Sequence, residues 1–164
     1  MLQVIVAVSY YFDRSDYRGK ILDFDPSLYV ASGLACFDLQ SQEWAWMVHL
    51  DLTTDKSKFK AVTYSTPTIA DLDGDGRSEV LIGTSLGLLY VLDGDTGFVK
   101  RYFPMQFNQI ISQIAVADIK GGPDLEIIFG DLGGNLVVVD GQGDVVWDKL
   151  LNGSYEFSFA NVYL

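Results

Sequence analysis

One short stretch of the chain, Asp71–Glu79, holds most of the residues whose types and spacing could do chemistry. Its sequence, DLDGDGRSE, places acidic side chains at the first, third, fifth and ninth positions and glycines at the fourth and sixth. Alternating oxygen donors around a glycine turn suit a hard cation such as Ca²⁺, and four carboxylates this close would repel one another without one. This first acidic loop is therefore predicted to bind calcium. The alternative is a solvated turn, which Asp-Gly pairs also favour.

The residues around the first acidic loop argue against an EF-hand. An EF-hand loop ends with a bidentate acid at its twelfth position and is flanked by helices. The twelfth position here is Ile82. The flanking runs, 67–70 and 80–83, are short and rich in β-branched residues, which is typical of strands. The loop is therefore predicted to join two strands of a hairpin.

An internal repeat with an offset of 47 residues determines the predicted fold. Segment 69–99 aligns with 116–146 without a gap, so that EVLIG at Glu79–Gly83 matches EIIFG at Glu126–Gly130. Each unit has the pattern of four short strands separated by Asp- and Gly-containing turns. Four strands in a period of about 40–50 residues indicate a β-propeller blade. The predicted fold class is all-β, a partial β-propeller of about three four-stranded antiparallel blades.

The repeat also predicts how the chain is divided. The expected segments are a partial blade at 1–52 with an inserted loop at about 10–29, a linker loop at 53–63, a blade with the intact acidic loop at 64–103, a blade with a degenerate loop at 110–151, and the first strand of a further blade at 154–164. Both ends would then fall inside a blade. We expect a fragment of a longer propeller, with open strand edges and low stability in isolation.

The degenerate loop, Asp118–Glu126, has the sequence DIKGGPDLE and is called the second acidic loop below. It keeps the first and ninth acids, but Lys120 stands at the third position and Gly122 at the fifth. A positive charge near the ion position disfavours calcium. The Lys120 ammonium is expected to stand in partly for a cation, so the metal is predicted at the first acidic loop only.

Composition excludes several classes of function. The formal net charge of −11 disfavours nucleic acid, because phosphate neutralisation dominates that binding. No apolar run approaches the length of about 18 residues that a membrane span needs. The single histidine, His49, leaves little from which to build a Ser-His-Asp site, and the single cysteine, Cys36, is expected in the core.

Residues 65–76, with the sequence STPTIADLDGDG, and the following Glu79–Gly83 resemble the FG-GAP repeats of integrin α-chain propellers. The resemblance implies calcium bound between the first two strands of a blade. It assigns as ligands the side chains of Asp71, Asp73, Asp75 and Glu79 and the backbone carbonyl of Arg77. The chain departs from the family pattern in having Glu instead of Asp at the ninth position.

Segments 4–13, 50–55, 64–68 and 83–93 are also similar to the plant defective-in-exine-formation family. That likeness implies an extracytoplasmic, calcium-binding propeller of a membrane-anchored, single-pass parent that acts in pollen exine patterning. Expected partners are protein or cell-wall polysaccharide ligands, with no nucleic acid and no membrane insertion by this segment. Asn152 begins an Asn-Gly-Ser triplet and is a possible glycosylation site.

Alternatives to this non-enzymatic module remain open. Residues Leu89–Gly97, LYVLDGDTG, also resemble blades of pyrroloquinoline quinone dehydrogenases, and calcium-binding propellers occur in polysaccharide lyases. The sequence has no adjacent cysteine pair and no basic catalytic cluster, which favours the non-enzymatic interpretation. A third alternative is a purely structural segment of a large surface protein.

Overall fold

The computed structural model describes residues 2–20 and 22–151. These residues form three antiparallel sheets, which follow one another along the chain, and two short 3-10 helices. No helix in the part described is long and apolar enough to cross a bilayer. The expected strand at 154–164 and the possible glycosylation site Asn152 lie outside the described residues.

The first sheet has three strands in the order β1-β2-β3. The strands are β1 (Gln3–Tyr11), β2 (Tyr29–Asp38) and β3 (Glu43–Thr54). Between β1 and β2 the inserted loop contains the 3-10 helices Arg14–Tyr17 and Pro26–Leu28, each preceded by an aspartate that caps a backbone amide. Because β3 runs to Thr54, the first two residues of the segment expected as linker belong to this sheet.

The second and third sheets each have four strands in chain order. The second sheet contains β4 (Thr68–Ala70), β5 (Glu79–Gly83), β6 (Leu88–Asp93) and β7 (Met105–Gln106). The third contains β8 (Ala115–Ala117), β9 (Glu126–Gly130), β10 (Asn135–Val139) and β11 (Val145–Leu150). Strand β7 lies past the expected blade end at residue 103, because the chain leaves the sheet after Lys100 and returns at Met105.

Strand register reproduces the repeat found in the sequence. Ala70 pairs with Glu79 in the second sheet, and Ala117 pairs with Glu126 in the third, so both acidic loops join the first two strands of their sheets. In the first sheet Gln3 pairs with Asp38, as Glu79 pairs with Asp93 in the second. The three strands of the first sheet therefore correspond to the second, third and fourth strands of the unit.

Apolar side chains pack between successive sheets in two clusters. The cluster between the first and second sheets consists of Leu34, Cys36, Trp46, Val80, Ile82, Tyr90 and Leu92. The cluster between the second and third sheets includes Leu81, Leu89, Val91, Ile127, Phe129, Val137 and Val139. Successive residues of β5 point to opposite faces, so this strand contributes to both clusters. Each large side chain buried this way stabilises the stack by about 1.5–3 kcal/mol.

Trp46, on the first sheet, contacts the second sheet. Its indole Nε1 donates a hydrogen bond to the Gly94 carbonyl at 2.9 Å. A Cβ at Gly97 would lie 2.6 Å from Trp46 Cε3, and Gly97 has a φ of 74°, which also favours glycine. The turn after β6 therefore needs glycine in order to accept the indole.

Candidate metal centre

The first acidic loop folds around its own carboxylates. Gly74 and Gly76 have φ angles of 70° and 86°, a left-handed conformation that glycine adopts without strain. The backbone amides of Asp75 and Gly76 then donate hydrogen bonds to the two Asp71 carboxylate oxygens, at 3.1 and 2.9 Å. The glycines expected from the sequence to shape a metal loop thus turn the backbone amides towards the Asp71 carboxylate.

Three of the predicted ligands lie together. Asp71, Asp73 and Glu79 each present a carboxylate oxygen, and these atoms lie within 4.8 Å of one another. Such a group could hold a metal ion. Asp75 is not part of the group, and its carboxylate accepts a hydrogen bond from the Arg77 backbone amide at 2.8 Å. Ligation by Asp75 and by the Arg77 carbonyl stays a prediction.

Glu79 is the buried member of the group, with 1% of its surface exposed. Its Oε2 accepts a hydrogen bond from the Leu72 backbone amide at 2.9 Å and so ties the start of the loop to its end. Glu126 is equally buried in the second acidic loop and accepts the equivalent bond from the Ile119 amide at 2.7 Å. The ninth-position glutamate therefore closes the loop whether or not acids stand at the third and fifth positions.

Lys100 is a member of this site that sequence reasoning missed. Its Nζ lies 2.7 Å from Glu79 Oε1 and 3.3 Å from Asp73 Oδ2. Burial alone would lower the pKa of Lys100, but the hydrogen bonds to these two carboxylates and their negative charges together outweigh burial and raise it. The ammonium is therefore charged at neutral pH and offsets part of the repulsion within the group. The repeat did not indicate a role for Lys100, because the equivalent residue in the third sheet is Trp147.

In the second acidic loop the ammonium comes from within the loop. Lys120 Nζ lies 3.8 Å from Glu126 Oε1 and 2.9 Å from Asp140 Oδ2. Burial alone would raise the pKa of Asp140, but the bond and charge of Lys120, together with hydrogen bonds from the Asp144 and Gln142 backbone amides, outweigh burial and lower it. Across residues 2–20 and 22–151, three clustered acids of the kind that could hold a metal occur only in the first loop.

The stretch that resembles quinoprotein dehydrogenase blades forms β6 and the turn after it. Its Asp93 carboxylate accepts hydrogen bonds from the Thr96 hydroxyl at 2.6 Å and the Thr96 amide at 2.8 Å. The hydroxyl bond is the main reason that the pKa of Asp93 is lowered. In this structure Asp93 is a turn-capping residue.

No protein family and no curated protein matches the chain. Among solved structures, BamB from Moraxella catarrhalis matches 76% of the chain with a TM-score of 0.51 and 17% identity. The quinohemoprotein alcohol dehydrogenase from Comamonas testosteroni matches 77% with a TM-score of 0.52 and 15% identity. The fold is a partial β-propeller.

These two likenesses show the fold of the chain and nothing finer, because the identities are low. The chain spans about a third of BamB and about a quarter of the dehydrogenase, with 34% and 26% of those proteins covered. Each sheet corresponds to one blade, and the first blade has three strands among the described residues. The likenesses to FG-GAP repeats and to the exine family stay predictions.

Proposed function

We propose that the chain is a non-enzymatic, calcium-binding propeller module of the FG-GAP type that serves protein or glycan interaction outside the cytosol. The observation that carries the proposal is the convergence of the Asp71, Asp73 and Glu79 carboxylates within 4.8 Å in a loop between the first two strands of a blade. This is the loop position at which the FG-GAP resemblance implies calcium.

The donor set favours calcium over other cations. Carboxylate oxygens with no histidine or cysteine suit hard cations and disfavour zinc and copper. Magnesium needs near-ideal octahedral geometry and gives up its waters reluctantly, whereas calcium accepts irregular oxygen shells. A loop with two left-handed glycines and one acid on a neighbouring strand offers an irregular shell of this kind. Calcium would also replace Lys100 as the charge partner of Asp73 and Glu79.

The location and the ligand class rest on the sequence resemblance alone. An extracytoplasmic setting supplies calcium at about millimolar concentration, which fits the affinities of about 10⁻⁴–10⁻³ M that are typical of extracellular modules. The propeller fold is compatible with a binding role, since closed rings of blades present loops at both ends of the sheets.

A calcium-dependent shift in the melting temperature tests the proposal. At a tenfold excess of calcium over Kd, binding to the folded state contributes about 1.4 kcal/mol. That corresponds to a rise of about 3–6 °C for a chain of this size. We expect Asp73→Ala to abolish the rise and Asp124→Ala, which removes an exposed acid from the second acidic loop, to leave it intact. A wild-type melting temperature that does not respond to calcium would refute the metal site.

The enzymatic alternative predicts alcohol-dependent dye reduction, which can be measured separately from calcium binding. If the stretch Leu89–Gly97 marked a quinoprotein dehydrogenase, the chain with pyrroloquinoline quinone and calcium would reduce an electron-acceptor dye in the presence of alcohols. We expect no dye reduction above that of the free cofactor. Alcohol-dependent turnover that the chain itself accelerates would contradict the non-enzymatic proposal.

A further inference from the structure

A groove lies at the end of the blades that faces away from the acidic loops. The acidic loops lead into β5 and β9, and the groove lies beyond the opposite ends of these two strands. Two adjoining pockets of about 410 and 510 Å³ form the groove, and they share the lining residues Phe59, Ser85, Gln109 and Leu132. It is called the linker groove below, because residues in and just after the linker form one of its walls.

Hydrogen bonds hold the walls of the linker groove in place. The Ser85 amide donates to the Val62 carbonyl at 3.1 Å, and the Ser85 hydroxyl donates to the Lys60 carbonyl at 2.6 Å. The Val62 amide donates in turn to the Ser85 hydroxyl at 3.0 Å. On the other side of the groove, the Leu132 amide donates to the Gln109 carbonyl at 2.9 Å. The groove is therefore preformed, and a ligand would spend little free energy on ordering its walls.

Large apolar side chains are exposed along the linker groove. Tyr64 is 66% exposed, Phe59 is 51% exposed and Leu132 is 45% exposed. All three line the same pocket. A single exposed apolar side chain is ordinary, but several that line one groove mark an interaction site. Two of the three are aromatic rings, which offer a ligand wide apolar faces.

Two lysines in the linker groove have no carboxylate partner within residues 2–20 and 22–151. Lys58 Nζ lies 5.2 Å from the centre of the Phe59 ring. Lys60 Nζ donates a hydrogen bond to the Tyr11 hydroxyl at 3.1 Å, and that hydroxyl is neutral at physiological pH. The two lysines at the acidic loops, by contrast, both lie against carboxylates. The linker groove therefore carries positive charge that the described part of the chain does not neutralise by ion pairing.

No aspartate or glutamate lines either pocket of the linker groove. Asp131 directly precedes the lining residue Leu132, but it is buried, and its carboxylate accepts hydrogen bonds at 3.0 Å from the side-chain amides of Asn108 and Asn135. Burial alone would raise the pKa of Asp131, but hydrogen bonds from these side chains and from nearby backbone amides together outweigh burial and lower it. The ammonium groups are therefore the charges that a ligand in the groove contacts.

We propose that the linker groove binds an acidic polysaccharide, a glycan chain whose sugars carry carboxylates. The apolar C–H face of a sugar ring packs on the exposed rings of Tyr64 and Phe59. The sugar carboxylates pair with the ammonium groups of Lys58 and Lys60. The side-chain amide of Gln109 makes no hydrogen bond within the described ranges, and it can both donate to and accept from sugar hydroxyls.

This inference rests on the proposed function in taking glycan interaction as the role of the module, and it names the site and the class of glycan. It does not depend on calcium, because the groove and the first acidic loop lie at opposite ends of β5.

The linker groove fits a glycan better than a peptide strand or a nucleic acid. An extended peptide commonly binds by adding to a free strand edge, but the wall amides of Val62, Ser85 and Leu132 are already bonded within the chain. Nucleic acid binding depends on many phosphate contacts, which two lysines on a chain of net charge −11 do not supply. Exposed rings beside unpaired ammonium groups match a ligand that combines apolar ring faces with carboxylates.

Calorimetric titration with oligogalacturonate, a polyuronate that carries a carboxylate on every sugar, tests the proposal. The titration is done with a calcium chelator, because polyuronates themselves bind calcium. We expect saturable binding. The methyl ester of the same oligomer keeps the rings without the charges, and polyglutamate keeps the charges without the rings, so each should bind at least about fivefold more weakly. Absence of oligogalacturonate binding, equal binding of the ester, or equal binding of polyglutamate would each overturn the proposal, the last by identifying an acidic-peptide site.

Variants with matched controls locate the binding. Lys58→Gln and Tyr64→Ala should each raise the Kd for oligogalacturonate by about 2–5-fold. Lys56→Gln removes a linker charge that lines neither pocket, and Phe98→Ala removes an exposed ring from the opposite end of the blade, so both should change Kd by less than about twofold. All four side chains are exposed, so the melting temperature should stay unchanged. An effect of Lys56→Gln as large as that of Lys58→Gln, or no effect of Lys58→Gln and Tyr64→Ala, would overturn the assignment to the groove.

The titration also separates a failure of this inference from a failure of the metal site. If oligogalacturonate does not bind while calcium still raises the melting temperature of the wild type and not of Asp73→Ala, the groove is refuted and the metal site stands. If oligogalacturonate binds in the chelator while calcium leaves the melting temperature unchanged, the metal site is refuted and the groove stands.

Discussion

The two acidic loops occupy equivalent positions in neighbouring blades and differ in the source of their positive charge. In both loops a glutamate at the ninth position is 1% exposed and accepts a hydrogen bond from the backbone amide at the second position. In both loops an ammonium approaches that glutamate. The first loop takes it from Lys100 on the outer part of the blade, and the second takes it from Lys120 within the loop.

This difference separates what the fold requires from what a metal site requires. A buried glutamate needs a positive partner and a backbone donor in either blade. Acids at the third and fifth positions are dispensable for folding, since the second loop keeps its closing hydrogen bond without them. The Lys100 side chain is 34% exposed, and its flexible four-carbon stem allows the ammonium to move away from Asp73 and Glu79. In the second loop, Lys120 stands in place of a ligand.

The largest expected effect comes from removing the ninth-position glutamates. Glu79→Ala and Glu126→Ala each leave a buried backbone amide without its acceptor and remove one of the two carboxylates beside an ammonium. Each should therefore lower the free energy of unfolding by about 2–3 kcal/mol. Urea denaturation in the presence of a calcium chelator measures both. Glu79→Gln, which keeps an acceptor for the Leu72 amide, should cost less than Glu79→Ala. Unchanged stability of either variant without calcium would show that its glutamate does not hold the metal-free loop closed.

The next largest effect is expected from giving the second loop the acids of the first. Lys120→Asp combined with Gly122→Asp restores the third and fifth positions, and a Cβ at Gly122 meets no atom within 4 Å. The variant should be less stable without calcium, because the acids repel one another, and should bind a second equivalent of calcium in calorimetry.

Lys120→Met is the control for that conversion. It removes the ammonium without adding ligands and should leave calcium binding at one equivalent. A double variant that still binds one equivalent would show that the acids alone are not enough in a loop that has Pro123 at the position of Gly76.

A smaller effect is expected from removing the ammonium that competes with the ion. Lys100→Met keeps the length of the side chain and deletes a charge 2.7 Å from Glu79 Oε1. Calcium should bind about 3–10-fold more tightly, since a change of about 1 kcal/mol in the local electrostatic energy is about fivefold in Kd. Lys149→Met, on exposed β11, changes the net charge equally and should alter Kd by less than about twofold. Weaker binding in Lys100→Met would show that Lys100 positions the ligands.

What the sequence predicted correctly depends on local patterns. The all-β class, the blades and the hairpin closed by the first acidic loop follow from alternating apolar residues, Asp-Gly turns and the 47-residue repeat. The convergence of Asp71, Asp73 and Glu79 follows from glycines within the same loop. Each of these features involves residues that are close in the sequence or related by the repeat.

What the sequence did not predict depends on contacts between distant residues. Lys100 lies 21 positions after Glu79 in the sequence, and its ammonium donates a hydrogen bond to that carboxylate. The Lys100 backbone amide bonds to the Val91 carbonyl, and the chain then turns away from the sheet at Tyr102, where φ is 75°. Asp51 meets Tyr90 across 39 positions and across two blades. Neither lysine nor aspartate carries a local pattern that specifies such a partner, and the repeat does not help because neither contact recurs in the third blade.

The smallest expected effect concerns Asp93 and Asp140, which cap equivalent turns with different partners. Both have a lowered pKa, so each contributes stability that is present above its unfolded-state value near 3.8 and is lost as pH falls through the lower folded-state value. In Asp93→Asn and in Asp140→Asn, the free energy of unfolding should fall less as the pH is lowered from 5 to 2.5 than it does in the wild type. The difference should be a fraction of 1 kcal/mol. Neutral Thr96 groups are the main donors to Asp93, whereas the charged Lys120 bonds to Asp140, so 1 M NaCl should weaken the Asp140 contribution more than the Asp93 contribution. Equal salt sensitivity of the two variants, measured by urea denaturation between pH 2.5 and pH 5, would show that the ammonium in the second blade adds no specific stabilisation.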